Sequence, residues 1–352
     1  MSGFQRKVAV VGCGNVGSMA ACQMVMAGIC DELVLIDRNS DLAWAQAEDL
    51  GHALAVTGSH VKVSQGEYEA CRDAAVVVLT ASAPQMPGSS RLDQIHKTKA
   101  VMDHIIPPIM NSGFSGIFLV VSNPVDIMAD YVQHLSGLPA ARVIGAGTIL
   151  DSARLRFYLA RQMKLDPHSV QAVCIGEHGN SQVALWSVAS AGGKAIADIL
   201  KDNQNRLDED MLQETARKAR ESGNQIMEKK GSTSFGIAAV IAQIVKAILM
   251  DENKILPVSA RLAGNYAQLA GKAAGSCLDE ALGREGRDGL RAALQREAQR
   301  EGEKEIYAGI PAVINREGIQ ELVEYHLNCD EAEAFARSVE VLKQVKKKLE
   351  EE

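Results

Sequence analysis

His178, held between glycines in Gly176-Glu177-His178-Gly179-Asn180-Ser181, is well suited to pass a proton near neutral pH. An apolar run precedes it, and its small neighbours leave room for a substrate on one side of the ring and a carboxylate on the other. A turn histidine without chemistry is the alternative. Asp151 and Arg154, in Leu150-Asp151-Ser152-Ala153-Arg154, open a helix. Their spacing puts carboxylate and guanidinium on one face, either as working groups or as a surface ion pair. Asn123, in Ser122-Asn123-Pro124, closes a strand with its amide at the sheet's C-terminal edge, unless it serves only the turn before proline. The run Ser82-Ala83-Pro84-Gln85-Met86-Pro87-Gly88-Ser89-Ser90-Arg91 is made of small residues and carries one arginine. That composition fits a lid bringing charge to a closed site, or a plain surface loop.

A second constellation concerns phosphate. Val8-Ala9-Val10-Val11 runs into Gly12-Cys13-Gly14-Asn15-Val16-Gly17 and then a helix-forming stretch, and the next strand ends in Leu35-Ile36-Asp37, about 20 residues past the last glycine. Gly12 permits the tight turn, Gly14 lets the backbone approach a pyrophosphate, and Gly17 lets helix and strand pack closely. Free N–H groups and the helix dipole then face the anion. Glycines serving only a turn would not require the strand, the helix and the terminal acid all in place. Asp37 can accept hydrogen bonds from ribose hydroxyls and would repel a 2′-phosphate, which favours NAD over NADP; Arg38 beside it works against that preference.

These groups need elements to position them. Brief unalternated apolar runs at 7–11, 32–36, 61–63, 75–80 and 117–122 alternate with helix-period segments. This predicts an α/β protein whose N-terminal domain, 1–148, is a doubly wound parallel sheet of Rossmann type. Residues 149–352 read as a mixed α+β domain: a helix from 149, a strand at 170–175, helices over 207–250, strand-like runs at 255–262 and 306–314, and a charged terminal helix. A densely charged stretch at about 267–305 reads as an inserted surface helix. The net charge of −7 over 352 residues makes nucleic acid an unlikely partner. No run suits a membrane span or signal peptide. Seven cysteines (Cys13, Cys22, Cys30, Cys71, Cys174, Cys277, Cys329) show no paired spacing. That predicts no metal site and no disulfide framework, and fits a reducing cytoplasm.

Taken in order, and with Asp49-Leu50-Gly51-His52-Ala53 after the second strand, these motifs resemble the L-lactate/malate dehydrogenase family over nearly the whole chain outside 267–305. The resemblance implies that His178 is the acid/base at the C2 oxygen of a 2-oxo or 2-hydroxy acid, that Asp151 orients it, and that Arg154 holds the substrate carboxylate bidentately. It also implies that Arg91 polarises the carbonyl, that Asn123 fixes substrate oxygen and nicotinamide, and that Thr233 lines the pocket. Asn15, Val16, Thr80, Ala81 and Ser82 join Gly12, Gly14, Gly17, Asp37 and Asn123 in the cofactor set, Ser82 standing where the family usually has glycine.

Gln85 occupies the position where malate enzymes usually carry arginine, so a monocarboxylate is expected. Gly223, where lactate enzymes usually have alanine, and Asn180 are similar to the L-2-hydroxyisocaproate-type branch and imply a wider pocket. Gln171 replaces a histidine of the fructose-bisphosphate-activated members, although Arg156 matches their phosphate-binding arginine. A homotetramer or homodimer is implied. A malate-type enzyme and a redox-sensing NAD binder without turnover are the competing readings, and the intact polar set opposes the latter.

Overall fold

The computed structural model describes residues 6–83, 91–202, 206–271 and 306–351, with the backbone alone at 91–93, 350 and 351. Six strands form the doubly wound half: β1 (Lys7–Val11), β2 (Glu32–Ile36), β3 (Lys62–Gln65), β4 (Val76–Leu79), β5 (Ile117–Val120) and β6 (Val143–Gly145). They lie in the order β3-β2-β1-β4-β5-β6, every neighbouring pair parallel. Helices α1 (Asn15–Met26), α2 (Ser40–Leu54), α3 (Arg91–Asn111) and α4 (Val125–Ser136) make the crossovers. Because helices cover both faces, β1, β4 and β5 are buried at every residue, whereas β3, at the edge, alternates with exposed positions.

The sheet does not stop at residue 148. After α5 (Ile149–Met163), the strands β7 (Val170–Ile175), β8 (Val183–Ala191) and β9 (Lys194–Ala195) build a separate antiparallel sheet. Helices α6 (Ile196–Asp202), α7 (Glu209–Lys230) and α8 (Phe235–Leu249) follow. Then β10 (Lys254–Arg261) joins β6 antiparallel through Ser259 opposite Gly145, and β11 (Tyr307–Asn315) and β12 (Gly318–Leu322) extend the sheet to nine strands among the described residues. A Cβ on Gly145 would lie 2.5 Å from Ser259 Cβ, so glycine is what lets the two halves meet there. Helix α9 (Gly264–Gly271) opens the expected insertion, whose remainder lies outside the described residues, and α10 (Cys329–Glu351) closes the chain with Phe335, Val339 and Leu342 in the core.

Four strands were not anticipated, among them the two-residue β9 and the largely exposed β12. β6 has three residues, too few to mark a run, and β8 carries only a broken alternation of buried and half-buried positions. The third strand falls at 62–65 instead of 61–63. Thiols are free at Cys13, Cys22, Cys30, Cys71 and Cys174, but the expectation of no disulfide fails at Cys329, which is disulfide-bonded. Among the described residues no helix is long and apolar enough to cross a membrane, and no group of three His, Cys, Asp or Glu is placed to hold a metal ion.

Candidate active site

At the C-terminal edge of the parallel strands, the glycine turn between β1 and α1 is shaped by contacts that exclude side chains. Gly12 has φ +103°, and a Cβ there would sit 2.5 Å from Ala81 N; one on Gly17 would sit 1.9 Å from Gly12 O. Gly14, by contrast, is exposed, and nothing lies within 4 Å of where its Cβ would be. Asn15 beside it is exposed and the first turn of α1 holds no acidic residue, so its N–H groups and dipole face open space. A pyrophosphate fits that opening. Asp37 directly follows β2, with Oδ2 accepting from Cys13 N–H at 2.7 Å and Oδ1 from Asn39 N–H at 2.9 Å. Its carboxylate is thereby fixed against the turn with lone pairs left for a ribose.

Thr80 and Ala81 lock onto the same turn. The Thr80 hydroxyl donates to Gly12 O at 2.7 Å, and Ala81 N–H donates to Val11 O at 3.0 Å. Val16 is half-buried behind the turn and Ser82 is exposed beyond Ala81. Ser122 then donates to Ala81 O at 2.6 Å, which joins the end of β5 to the end of β4 and leaves Asn123 exposed beside them, its bond to Pro124 cis. The expected cofactor residues thus occupy one continuous edge.

From Asn123 the chain enters α4, and Asp126 in its first turn reaches the histidine. Asp126 Oδ2 accepts the His178 main-chain N–H at 2.9 Å, and Oδ1 accepts the Ser259 hydroxyl at 2.6 Å. The ring meets a different carboxylate: His178 Nδ1 lies 2.6 Å from Asp151 Oδ2, and Arg154 Nη1 donates to Asp151 Oδ1 at 3.1 Å. Asp151 is buried while the His178 side chain keeps a quarter of its surface exposed, so the dyad has one sealed and one open end.

Burial works against a charge on His178. The charge and hydrogen bond of Asp151, and then the charge of Asp126, outweigh it, and its proton affinity ends above the ordinary value. For Asp151 burial is likewise opposed by His178 and then Arg154, which hold it below the usual carboxylate range. An ionised Asp151 fixes Nδ1 as the donor and leaves Nε2, which bonds to no described residue, as the nitrogen that gives or takes a proton.

Arg154 lies against α7. A Cβ on Gly223 would come within 3.3 Å of its Nη2 and 3.4 Å of its Nη1. Thr233 is half-buried in the turn between α7 and α8, and α8 abuts α5 closely enough that a Cβ on Gly236 would fall 2.8 Å from Leu150 Cδ1. Arg91 begins α3, though its side chain is outside the described residues, as is Gln85. Gln94 Nε2 donates to Ala83 O at 2.6 Å, tying the first turn of α3 back to the chain leaving β4. Arg156 is half-buried with its proton affinity lowered by burial, Gln171 is exposed on β7, and Asn180 is exposed beyond the histidine.

Asp126, Ser259 and Ser338, which receives the Glu177 N–H at 2.8 Å, were missed by sequence reasoning. Only Asp126 had a signal: a lone acid inside the otherwise apolar Val125–Ala129 stretch, all of it buried.

Comparison with known proteins agrees with this geometry. Residues 6–145 match the lactate/malate dehydrogenase NAD binding domain, and residues 148–352 match the lactate/malate dehydrogenase alpha/beta C-terminal domain. The chain is 41% identical to an L-lactate dehydrogenase of Halalkalibacterium halodurans and 40% identical to one of Macrococcus caseolyticus, with 96% of each chain covered in both cases. It superimposes with a TM-score of 0.85 on the ligand-bound minor L-lactate dehydrogenase of Enterococcus mundtii, at 37% identity and 98% coverage of both chains. A dinucleotide cradle at the ends of β1 and β4 and a carboxylate-backed histidine after β7, matched over nearly the whole length, make this chain a member of the lactate/malate dehydrogenase family.

Proposed function

We propose that the chain works as an NAD-dependent L-lactate dehydrogenase, interconverting pyruvate and L-lactate. The observation that carries this is Asp151, buried between the His178 ring and the Arg154 guanidinium. When bound, the nicotinamide supplies or accepts the hydride at C2 of the substrate. His178 gives its Nε2 proton to the C2 oxygen in reduction and takes it back in oxidation, and Asp151 steadies the imidazolium that precedes the transfer. Arg154 holds the substrate carboxylate with its fork, Arg91 stabilises the developing oxyanion, and Asn123 and Thr233 fix the substrate's orientation. The cofactor rests on Gly12, Gly14, Asn15, Val16, Gly17, Asp37, Thr80, Ala81, Ser82 and Asn123. The whole cofactor set lies before residue 148, and His178, Asp151, Arg154 and Thr233 lie after it, while Gln85, Arg91 and Asn123 serve the substrate from the first domain.

A neutral Gln85 leaves a second substrate carboxylate without a cation, which favours monocarboxylates. Bulkier 2-oxo monocarboxylates, as in an L-2-hydroxyisocaproate-type enzyme, are a second reading, supported by the missing methyl at Gly223 beside Arg154. A homodimer or homotetramer is supported by the exposure of Trp44, Val56, Phe157 and Phe235, and a cytoplasmic setting by five free thiols, with the disulfide at Cys329 against it.

An NADH assay run side by side with pyruvate, 2-oxobutyrate, 2-oxoisocaproate, phenylpyruvate and oxaloacetate tests the reading. Pyruvate is expected to turn over well and oxaloacetate poorly, and His178→Ala is expected to lose about 10²–10⁴-fold in kcat. Pyruvate reduction at the parent rate by His178→Ala would refute the acid/base role. Gln85→Arg is expected to move preference toward oxaloacetate; unchanged ratios would remove Gln85 as the selector.

A further inference from the structure

The histidine turn is anchored at its start and unanswered at its end. Gly176, Glu177 and His178 donate their main-chain N–H groups to Gly309 O on β11, Ser338 Oγ on α10 and Asp126 Oδ2 on α4. Gln182, the last residue before β8, is only 7% exposed, and its Oε1 is sealed from solvent with no hydrogen-bond partner among the described residues. Leaving a buried amide unpaired is costly, and such groups in folded proteins commonly face a bound water or ion. Gln182 lines a small crevice together with Leu155 of α5, Cys174 of β7, Ala184 of β8, and Ala216 and Arg220 of α7. The two alanines leave it open: its enclosed part has room for one water-sized species, and the exposed Arg220 stands at its mouth.

The polar part of this lining consists of donors. Arg220 makes no ion pair or hydrogen bond among the described residues, and the positions three and four residues either side of it on α7 hold Ala216, Arg217, Gly223 and Asn224, none an acid. Nearby acids are already engaged, Glu214 by Arg217 and Lys218, and Glu221 by Arg217. Cys174 stays a neutral thiol, because burial and then Asp151 raise it well above the ordinary value, so its S–H is a weak donor. No bond to a described residue fixes the sense of the Gln182 amide, which can turn over and present its NH₂ group. No carboxylate lines the crevice, and the charges felt at Cys174 are Asp151 on one side and Arg220 and Arg154 on the other. We propose that the crevice is a chloride site, in which the Arg220 guanidinium, the Gln182 amide and the Cys174 thiol converge on one monoatomic anion. A phosphate or sulfate, with four oxygens, exceeds the enclosed space. The site is distinct from the carboxylate fork of Arg154, although Arg220 is one helical turn from Gly223, which lies against that fork. Bound chloride therefore ties α7 to the end of the histidine turn and steadies the substrate half without entering the reaction.

The test uses the full-length protein without cofactor or substrate. Chloride NMR linewidth and thermal unfolding are followed as sodium chloride replaces a bulky sulfonate salt at constant ionic strength, for the parent, Arg220→Gln and Gln182→Glu. Arg220→Gln removes the cation, and Gln182→Glu brings a carboxylate of its own to Arg220 and excludes the ion. The parent is expected to broaden the chloride signal saturably and to melt about 2 °C higher once chloride exceeds its dissociation constant about tenfold. Both variants are expected to lose the saturable broadening and the chloride-dependent rise in melting temperature. A parent that shows neither effect holds only water in the crevice, and the proposal fails. Saturable broadening that persists in a folded variant places the ion elsewhere, Arg154 included, and also overturns it. Because Arg220 is exposed, Arg220→Gln decides alone should Gln182→Glu not fold, and its pyruvate reduction at low chloride checks that the substrate site is intact.

Discussion

At Gly223 a single absent methyl group gives Arg154 its freedom. An alanine there would bring a carbon within 3.3–3.4 Å of both terminal guanidinium nitrogens, close enough that the fork must shift by a few tenths of an ångström. Recognition of a carboxylate by two parallel hydrogen bonds tolerates little displacement, so Gly223→Ala is expected to raise KM several-fold. A pocket that is also narrowed should penalise 2-oxoisocaproate more than pyruvate. Steady-state kinetics with both acids checks this, and equal effects on the two would show that the glycine sets no size limit. At this scale much was legible from the sequence, because imidazole, guanidinium and carboxylate advertise their chemistry by type. Asp126 and Ser259 were not legible, since their meaning arises only when residues 133 apart in sequence come within 2.6 Å.

Among the elements, the turn from β1 to α1 has the least tolerance. A Cβ on Gly17 would overlap the Gly12 carbonyl at 1.9 Å and crowd the Thr80 hydroxyl at 2.8 Å, and both are fixed by the bond that joins β4 to the turn. Gly17→Ala is therefore expected to weaken NADH binding by at least about tenfold through loss of the pyrophosphate-facing backbone, even where the chain still folds. Fluorescence titration with NADH measures it; unchanged affinity would mean that helix α1 can move away without cost. This turn was readable from sequence because glycine spacing, strand and helix are all local. The partnership of β6 with β10 was not, since a three-residue strand leaves no periodicity and its pairing rests on Ser259 meeting Gly145 across the chain.

Over the whole molecule, the buried charges set opposing pH dependences. Asp126 has a native proton affinity raised from 3.8 to about 6, so the native state binds its proton more tightly than the unfolded chain. Its contribution to stability is full below the unfolded value and falls as pH rises through the native one. Asp151, lowered, contributes above the unfolded value and loses that contribution as pH falls. His178, raised, contributes below its ordinary value and loses it as pH climbs through the native one. Asp126→Asn removes the first of these and weakens the third, both of which stabilise at low pH, so its melting temperature relative to the parent is expected to be higher at pH 8 than at pH 4.5. Thermal unfolding followed by circular dichroism at both values tests this, and a constant difference would place the carboxylate in a wetter setting than its burial indicates. At neutral pH and above such a variant would be the sturdier protein, as expected when an active site retains a costly charge.

The three anchors of the histidine turn also set an order of events during synthesis. Every residue assigned to the dinucleotide cradle lies between 12 and 123, so a chain still emerging from the ribosome has all of that cradle early. The acceptors for Gly176 and Glu177 sit at 309 and 338, more than 130 residues further along the chain than the turn they hold. A nascent chain would thus have the means to hold its dinucleotide long before it could turn over a substrate, and catalytic competence would wait for α10.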